Sequence, residues 1–264
     1  MLKMSIEKIN RIKATTNFSE TKPTIFYGLL QSDLPESEKT SARLAEEATV
    51  LLSAGTDSSA STLSAITYHL LANPAKLRIL RAELKAAIPE GQLPTFAQLE
   101  SLPYLSAVVQ EGLRLHPAVS SRQQRVAPSE DLFYTSFTTN KKYKLPAGTT
   151  ISMTPALLSR IPEIYSNPGE FSPERFIENP KLKGYNLTFS RGTRMCLGIN
   201  LAYQEMYILL AGLFRRYDGL RGDGKGLELE LYRTTREDVD MVRDLVTENL
   251  RDGSLGVRVM VKGP

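Results

Sequence analysis

The chain has a single cysteine, Cys196, among its 264 residues. One cysteine excludes internal disulfide bonds, so the chain must fold around a buried apolar core, for which its length is ample. The cysteine lies in the stretch FSRGTRMCLG, residues 189–198, which is followed by an amphipathic helical pattern. A lone cysteine is most often a small, buried and inert apolar residue. Two glycines and two arginines around it favour a ligand loop instead, and residue types alone leave both interpretations open.

The position of Cys196 before a helix matters for its chemistry. Free N–H groups and the dipole at a helix N-terminus favour an anion, and the thiolate is the form of cysteine that attacks or binds metals. Gly192 and Gly198 leave room on both sides for a bulky flat group to approach the backbone. Arg194 adds a positive charge two residues away. The stretch therefore predicts an accessible, anionic sulfur.

Composition narrows the classes of function. The formal net charge is +4 with scattered basic residues, which gives no case for a nucleic-acid partner or a polybasic membrane anchor. Only His69 and His116 could join Cys196 as soft ligands, so the sequence argues against a zinc site, and we expect both histidines to be structural. The sequence predicts no membrane-spanning segment and no secretory signal peptide.

Apolar spacing predicts a mainly α chain with a small β portion. The predicted helices are weak helices over residues 1–40 broken at Pro23 and Pro35, a long helix from Ser41 to Leu71, a helix with Asn73 as N-cap and Pro74 at its first position, a short helix at 95–101, a helix from Pro103 to Leu115 and a helix starting near Ile199. The predicted strands are short antiparallel strands within 132–153, with turns at Asn140 and Pro146–Gly148, and a hairpin joining 227–235 to 255–261. Residues 155–190 are predicted to be irregular.

Two charged motifs lie before the cysteine. In EGLR, Glu111 and Arg114 are three residues apart on one helix face and can pair. A solvent-exposed pair, worth a few tenths of a kcal/mol, is the alternative. FSPERF places Arg175 in a proline-bounded loop between this helix and the cysteine.

The long helix contains AGTDSS, residues 54–59, near its middle. Gly55 costs about 1 kcal/mol relative to alanine in a helix, and the polar residues after it are poor helix formers. We therefore expect the helix to open locally here, through a π-bulge or an inserted water. A kink at the surface is the alternative.

The cysteine stretch resembles the haem-thiolate signature F-x-x-G-x-R-x-C-x-G-x-x-L-A of the cytochrome P-450 family. Seven positions match at fixed spacing: Phe189, Gly192, Arg194, Cys196, Gly198, Leu201 and Ala202. The resemblance implies the C-terminal half of the cytochrome P-450 fold, with a long central I-type helix, a K-type helix, β-hairpins, the haem-binding cysteine loop and an L-type helix. We accordingly expect residues 1–264 to form a single partial domain, without the N-terminal half of the family fold.

The same resemblance assigns a cofactor site for haem b. Its implied cofactor-binding residues are Phe189, Gly192, Arg194, Cys196, Gly198 and Arg125. Cys196 would be the axial ligand of the iron, and a thiolate ligand favours O–O cleavage. Arg194 and Arg125 would pair with the haem propionates, and Phe189 would pack beside the sulfur. For Arg125 and its neighbour Arg122, two solvated loop arginines are the alternative.

FSPERF resembles the PERF segment of the family, whose arginine completes a Glu–Arg–Arg network with the E-x-x-R pair. The resemblance implies that Glu111, Arg114 and Arg175 form this network and fix the cysteine loop against the core. Removing one member would strand a buried charge and cost about 3–5 kcal/mol.

AGTDSS resembles the A-G-x-D-T-T motif, which implies that Ala54 and Gly55 shape a groove for O₂ and water. Asp57 and Ser58 would be the acid and alcohol of a proton relay. Ser58 and Ser59 replace the usual threonines, so the hydroxyl is kept and the methyl is lost. Val119, Ser120 and Ser121 would face the substrate.

The implied function is that of a haem-thiolate monooxygenase, which inserts one oxygen atom of O₂ into a small lipophilic or secondary-metabolite substrate. Electrons would come from NADPH indirectly, through NADPH–cytochrome P-450 reductase. RQQRVAP and REDVDMVRD are most similar to fungal secondary-metabolism members. A full-length eukaryotic member is expected at the endoplasmic reticulum membrane. The alternative is a non-catalytic fragment that keeps the signature but cannot retain haem or turn over.

Overall fold

The computed structural model describes residues 2–14, 24–89, 91–136, 138–217 and 226–263, which form mostly helices with four two-stranded antiparallel sheets. The helices are α1 Leu2–Ala14, α2 Ile25–Gln31, α3 Ser41–Ala72, α4 Pro74–Ala87, α5 Phe96–Glu100, α6 Pro103–Leu115, α7 Pro155–Leu158, α8 Glu174–Glu178 and α9 Ile199–Arg216, with 3-10 turns at Glu36–Lys39, Pro180–Tyr185 and Arg236–Asp238. The strands are β1 Gln123–Val126, β2 Leu132–Thr135, β3 Lys142–Leu145, β4 Thr150–Met153, β5 Glu228–Leu231, β6 Arg243–Leu245, β7 Thr247–Asn249 and β8 Val259–Lys262. The predicted mainly α architecture is confirmed.

The chain divides into two compact units, Met1–Ser58 and Ser59–Pro264. In the first unit, Ile9, Leu44 and Ala45 form a small buried core, which α2 covers on one side. The predicted break at Pro35 coincides with the start of a 3-10 turn, and the break predicted at Pro23 lies outside the described residues.

Local signals set the helix starts of the second unit. Asn73 is the N-cap of α4 and Pro74 opens the helix, as predicted. The Asn73 side chain does not cap α4, because its Nδ2 donates to the carbonyl of His69 at 2.7 Å and so satisfies the end of α3. Thr95 forms a capping box with Gln98 at the start of α5.

The core of the second unit is built from one face each of α3, α4 and α9 packed around α6. Leu80, Leu105 and Phe214 are fully buried in it, and burying each such side chain contributes about 1.5–3 kcal/mol. Helix α6 approaches α3 so closely that a Cβ added at Gly112 would lie 2.2 Å from Ile66 Cγ1. Glycine is therefore required at this crossing.

The strands follow the predicted turns, but not all of the pairings were predicted. Strands β2 and β3 form a hairpin, and Asn140 in its turn has a φ of 53°. Strand β4 pairs with β1, which the sequence did not identify as a strand, whereas β5 pairs with β8 as predicted. The hairpin β6–β7 was also not predicted. The region predicted to be irregular, 155–190, contains α7, α8 and a 3-10 turn.

Within the described ranges, no helix combines the length and apolar character needed to cross a membrane.

Candidate functional site

The cysteine loop is a closed turn at the start of α9. The backbone N–H of Cys196 donates to the carbonyl of Phe189 at 2.9 Å, and that of Met195 donates to the carbonyl of Gly192 at 3.0 Å. Gly192 has a φ of 80°, a conformation that favours glycine. Gly198 is the N-cap of α9. The Cys196 thiol is free and exposed, so the loop presents the sulfur just ahead of a helix N-terminus.

The surface beside the sulfur is apolar and open. Met195 and Leu201 are exposed, and Leu197 is 87% exposed. A Cβ added at Gly198 would meet no atom within 4 Å. The Arg194 side chain is exposed and makes no hydrogen bond or ion pair with the described part of the chain. Exposed apolar side chains, one thiol and one guanidinium thus lie together in the same loop.

Arg125 on β1 holds the beginning of the cysteine loop. Its guanidinium donates to the Ser190 hydroxyl, to the carbonyl of Arg191 at 3.3 Å and to the carbonyl of Gln124 at 2.7 Å. A cavity of about 470 Å³ lies alongside, lined by Arg125, by residues 190 and 191 and by apolar side chains such as Met153. The structure thus brings Arg125 to the cysteine loop, and its contact with a propionate stays a prediction.

A second anchor of the loop was not found from the sequence. Thr188 donates through Oγ1 to the carbonyl of Leu113 at 2.7 Å, and Asn186 donates through Nδ2 to the carbonyl of Gln110 at 3.3 Å. Gln110 in turn donates through Nε2 to the hydroxyl of Tyr203 on α9 at 3.0 Å. The signal for this anchor was a polar residue, Gln110, on the apolar side of a strongly amphipathic helix.

The Tyr203 side chain links this anchor to the signature residues. Its ring lies 5.1 Å from the ring of Phe189, centroid to centroid. Burial raises the pKa of the Tyr203 phenol, so the group stays protonated and continues to accept from Gln110. Phe189 is therefore fixed against α9.

The predicted Glu–Arg–Arg set is assembled in the interior. The side chains of Glu111 and Arg114 are both 0% exposed and form a two-pronged ion pair, with Nε–Oε2 and Nη2–Oε1 distances of 2.7 Å each. Arg175 Nε lies 3.1 Å from Glu111 Oε1. Complete burial excludes the alternative of a solvent-exposed pair.

The remaining N–H groups of the two arginines donate hydrogen bonds to backbone carbonyls of one segment. Arg114 donates to Ser159 at 2.7 Å, Pro168 at 2.9 Å and Glu170 at 3.0 Å, and Arg175 donates to Ser166 at 2.7 Å. The direct contacts of the network therefore fix residues 159–170. The cysteine loop is tied to the same helix α6, but through the second anchor described above.

Glu174, the acidic residue of FSPERF, is a further structural residue that the sequence did not single out. Its carboxylate accepts from Lys76 on α4 at 2.8 Å and from the Tyr104 hydroxyl on α6 at 2.9 Å. Burial acts to raise the pKa of Glu174, but these donors outweigh it, and the pKa is lowered. The carboxylate therefore joins α8 to two other helices.

The AGTDSS residues lie on α3, the first five of them in the first unit and Ser59 at the start of the second. Ala54, Gly55 and Asp57 are exposed, and the Ser58 hydroxyl donates to the carbonyl of Ala54 at 2.6 Å. The expected local opening was wrong, because α3 is α-helical throughout its 32 residues. The Ser58 hydroxyl bonds back to the carbonyl four residues earlier, so this polar group is satisfied within the helix.

The residues predicted to face substrate follow α6. Val119 is exposed and Ser121 is half-buried, whereas Ser120 is fully buried and its hydroxyl donates to Asp244 Oδ1 at 2.9 Å. His69 and His116 are also buried, and their Nε2 atoms are 2.9 Å apart. In the part of the chain that the structure describes, no three His, Cys, Asp or Glu side chains converge to hold a metal ion.

Comparison with solved structures identifies the class of fold. A crystal structure of a cytochrome P450 (CYP102L1) matches with a TM-score of 0.76 at 21% identity, over 100% of this chain and 55% of that one. The cytochrome P450 family model matches residues 2–230.

The curated relatives agree. The cytochrome P450 monooxygenase astB of Talaromyces wortmannii is 44% identical over 97% of this chain and 54% of its own length. The monooxygenase tpcC of Cochliobolus heterostrophus is 38% identical over 98% of this chain and 50% of its own length. The N-acetyltryptophan 6-hydroxylase ivoC of Emericella nidulans is 38% identical over 90% of this chain and 45% of its own length. The chain belongs to the cytochrome P450 family and is of the fungal type. It spans about half the length of the curated relatives it matches.

The residues at this site fit a haem. A flat, largely apolar macrocycle needs open apolar surface, and the exposed side chains beside Cys196 with the bare Gly198 provide it. The iron needs a soft ligand, which the exposed thiol supplies. The propionates need a cation, and the Arg194 guanidinium is available in the same loop.

Proposed function

We propose that this chain works as a haem-thiolate monooxygenase that inserts one oxygen atom of O₂ into a small organic substrate. The observation that carries the proposal is the exposed Cys196 thiol in a braced loop directly before α9. Bound haem with a thiolate ligand supplies O₂ activation and favours O–O cleavage.

The chain's own residues would bind and orient this cofactor. Cys196 would ligate the iron from the loop directly before α9. Arg194 would neutralise a propionate, and Arg125 would keep the loop in place through its contacts with residues 190 and 191. Because the loop backbone and Arg125 are held before the cofactor arrives, little order has to be created in them on binding.

The experiment is reconstitution with haemin, followed by reduction and addition of CO. We expect a red-shifted, thiolate-type Soret band for the wild-type chain and its loss in Cys196→Ser. Met195→Leu is the matched control, because it removes the neighbouring thioether, the other soft sulfur in the loop, and leaves the thiol. A wild-type chain that shows no such band at stoichiometric haem refutes the proposal and supports a non-catalytic fragment.

The substrate and partner are proposed from the relatives. They are fungal proteins named as monooxygenases, and one is named for hydroxylating N-acetyltryptophan, so we propose a lipophilic or secondary-metabolite substrate. Electrons would pass from NADPH through NADPH–cytochrome P-450 reductase. Substrate-dependent NADPH consumption in a mixture with the reductase tests both points, and consumption without oxygenated product would contradict them.

The proton relay of Asp57 and Ser58 and a location at the endoplasmic reticulum membrane stay predictions from the family resemblance. For the relay, Asp57→Asn is expected to slow product formation and increase peroxide release relative to Glu46→Gln, a variant at an exposed position of the same helix. For the location, fractionation of the tagged chain is the measurement.

A further inference from the structure

Two buried histidines and a glutamate form a line of polar contacts across three elements. His69 lies on α3, His116 is the C-cap of α6 and Glu248 lies on β7. The Nε2 atoms of the two rings are 2.9 Å apart, and His116 Nδ1 is 3.6 Å from Glu248 Oε2. The His116 and Glu248 side chains are 1% and 5% exposed. None of the three belongs to the cysteine loop or to the Glu–Arg–Arg network.

The surroundings keep the His69 ring neutral. Burial, then the neighbouring His116, and then the positive charges of Arg236, Arg160 and Arg114 lower the pKa of His69 to about 3. Phe171 is stacked on the ring at 4.7 Å, with an interplanar angle of 1°. The ring is therefore uncharged at neutral pH and held in one orientation.

The contacts then fix where the hydrogens are. Only one hydrogen fits on the line between two Nε2 atoms at 2.9 Å. A carboxylate only accepts hydrogen bonds, so the His116 nitrogen that faces Glu248 carries a hydrogen. Arg160 donates to the carbonyl of Leu115, directly before His116, at 3.3 Å. A His116 ring that carries its hydrogen on Nδ1 and none on Nε2 can only accept on its Nε2 side, and His69 is then the donor.

We propose that these three residues form a directional series of contacts, in which His69 Nε2–H donates to His116 Nε2 and His116 Nδ1–H faces Glu248. This series positions the segment 118–121 against the hairpin β6–β7.

The hairpin is fastened to that segment by three further hydrogen bonds. Glu248 N donates to the carbonyl of Ala118 at 3.3 Å, and Ser120 N donates to the carbonyl of Val246 at 3.1 Å, so that residues 119 and 247 form an isolated β-bridge. The third is the bond from the Ser120 hydroxyl to Asp244. Val246 has a φ of 78°, which is strained for a β-branched residue and persists only where the surroundings hold it.

The consequence for the reaction rests on the proposed function. Segment 119–121 was predicted to face substrate, so its register against the hairpin shapes that side of the site. His69, His116 and Glu248 are then positioning residues, because they act through the segment and touch no reacting atom.

The direct test uses the fact that the chain has only two histidines. A chain labelled with ¹⁵N-histidine gives two imidazole patterns, which report protonation and tautomer separately. At neutral pH we expect two neutral rings of opposite tautomer, with the hydrogen on Nε2 of His69 and on Nδ1 of His116. An imidazolium pattern from either ring, or one tautomer for both, overturns the proposal. The measurement needs no haem, so its failure is distinct from failure of the proposed function.

The positioning role is tested with Glu248→Gln. We expect His116 to lose its single tautomer, and the amide hydrogens of residues 120 and 248 to exchange about tenfold faster, the effect of one lost buried contact. Glu237→Gln is the matched control, since its side chain is 78% exposed, and it should change neither readout. Unchanged tautomers and exchange rates in Glu248→Gln overturn the role. If that variant fails to fold, His69→Gln is measured instead: an unchanged His116 tautomer overturns the role, and a changed one supports it.

Discussion

Replacing Arg114 by alanine is the sharpest test of how this fold is held together. The guanidinium is completely buried and makes five hydrogen bonds, two to Glu111 and three to backbone carbonyls of the segment 159–170. It also lies 5.0 Å above the ring of Tyr165. Alanine would leave the Glu111 carboxylate paired with Arg175 alone of the two arginines. It would also remove a hydrogen-bond donor from three backbone carbonyls.

The cost follows from that geometry. Removing one partner of a buried ion pair destabilises by about 3–5 kcal/mol, because the remaining charge stays out of water. For a chain of this size, that loss lowers the melting temperature by about 6–20 °C. Arg114→Lys keeps the charge but loses the planar fork that serves two acceptors on each side, so we expect it to recover only a small part of the loss.

The assay is urea unfolding of the purified chain, followed by circular dichroism. Arg243→Ala is the matched control, because Arg243 pairs with Asp252 at the surface, where the two side chains are 49% and 87% exposed, and its loss should cost less than about 1 kcal/mol. An Arg114→Ala chain within about 1 kcal/mol of wild type, or an Arg114→Lys chain equal to wild type, would refute the reasoning.

Four further variants test packing, capping and acid stability. Gly112→Ala should lose about 1–3 kcal/mol, because the added methyl collides with Ile66, whereas Gly212→Ala in α9, where a Cβ meets nothing, should gain up to about 1 kcal/mol. Glu83→Ala should cost about 0.5–2 kcal/mol in urea unfolding, because this carboxylate caps α6 by accepting two of its free N–H groups at 2.8 Å each. The pKa of Asp238 is lowered from 3.8 to about 2, first by a backbone N–H donor and then by a serine and an arginine. Since its folded pKa is below the unfolded one, its stabilisation is complete above the unfolded value and lost as pH falls towards 2, and Asp238→Asn should flatten that part of an acid-unfolding curve.

Each of these has a contrary outcome. Equal unfolding midpoints for the two glycine variants would mean that the crossing at Gly112 is not tight. A Glu83→Ala chain as stable as wild type would mean that water caps α6 equally well. An acid limb that keeps its slope in Asp238→Asn would assign the loss of stability to other carboxylates.

Local signals explain what was predicted correctly. Helix α6 was predicted with its observed bounds, because a proline at the first position and a proline after the C-cap are signals that act within a few residues. The spacing of the cysteine signature and the family resemblance were likewise read from residues that are close in sequence. Strand β1 was missed because its four residues, three of them exposed and most of them polar, carry no periodic pattern.

The mistaken expectation for residues 54–59 shows the limit of propensity. Four poor helix formers in a row predicted an opening, yet α3 continues through them. Propensity amounts to about 1 kcal/mol per residue, and in a 32-residue helix the bonded turns on both sides outweigh it.

The sequence by itself determined the family and the positions of the long helices, and it predicted the cysteine loop as the place of the sulfur ligand, because each rests on short-range spacing. Only the tertiary structure decided that Glu111 and Arg114 are buried, that Arg114 donates to a carbonyl 45 residues away, and that Arg125 reaches the cysteine loop from 65 residues away. It also decided that the two histidines meet. Partners so distant along the chain are chosen by how the helices pack, and packing depends on the whole core rather than on any local stretch.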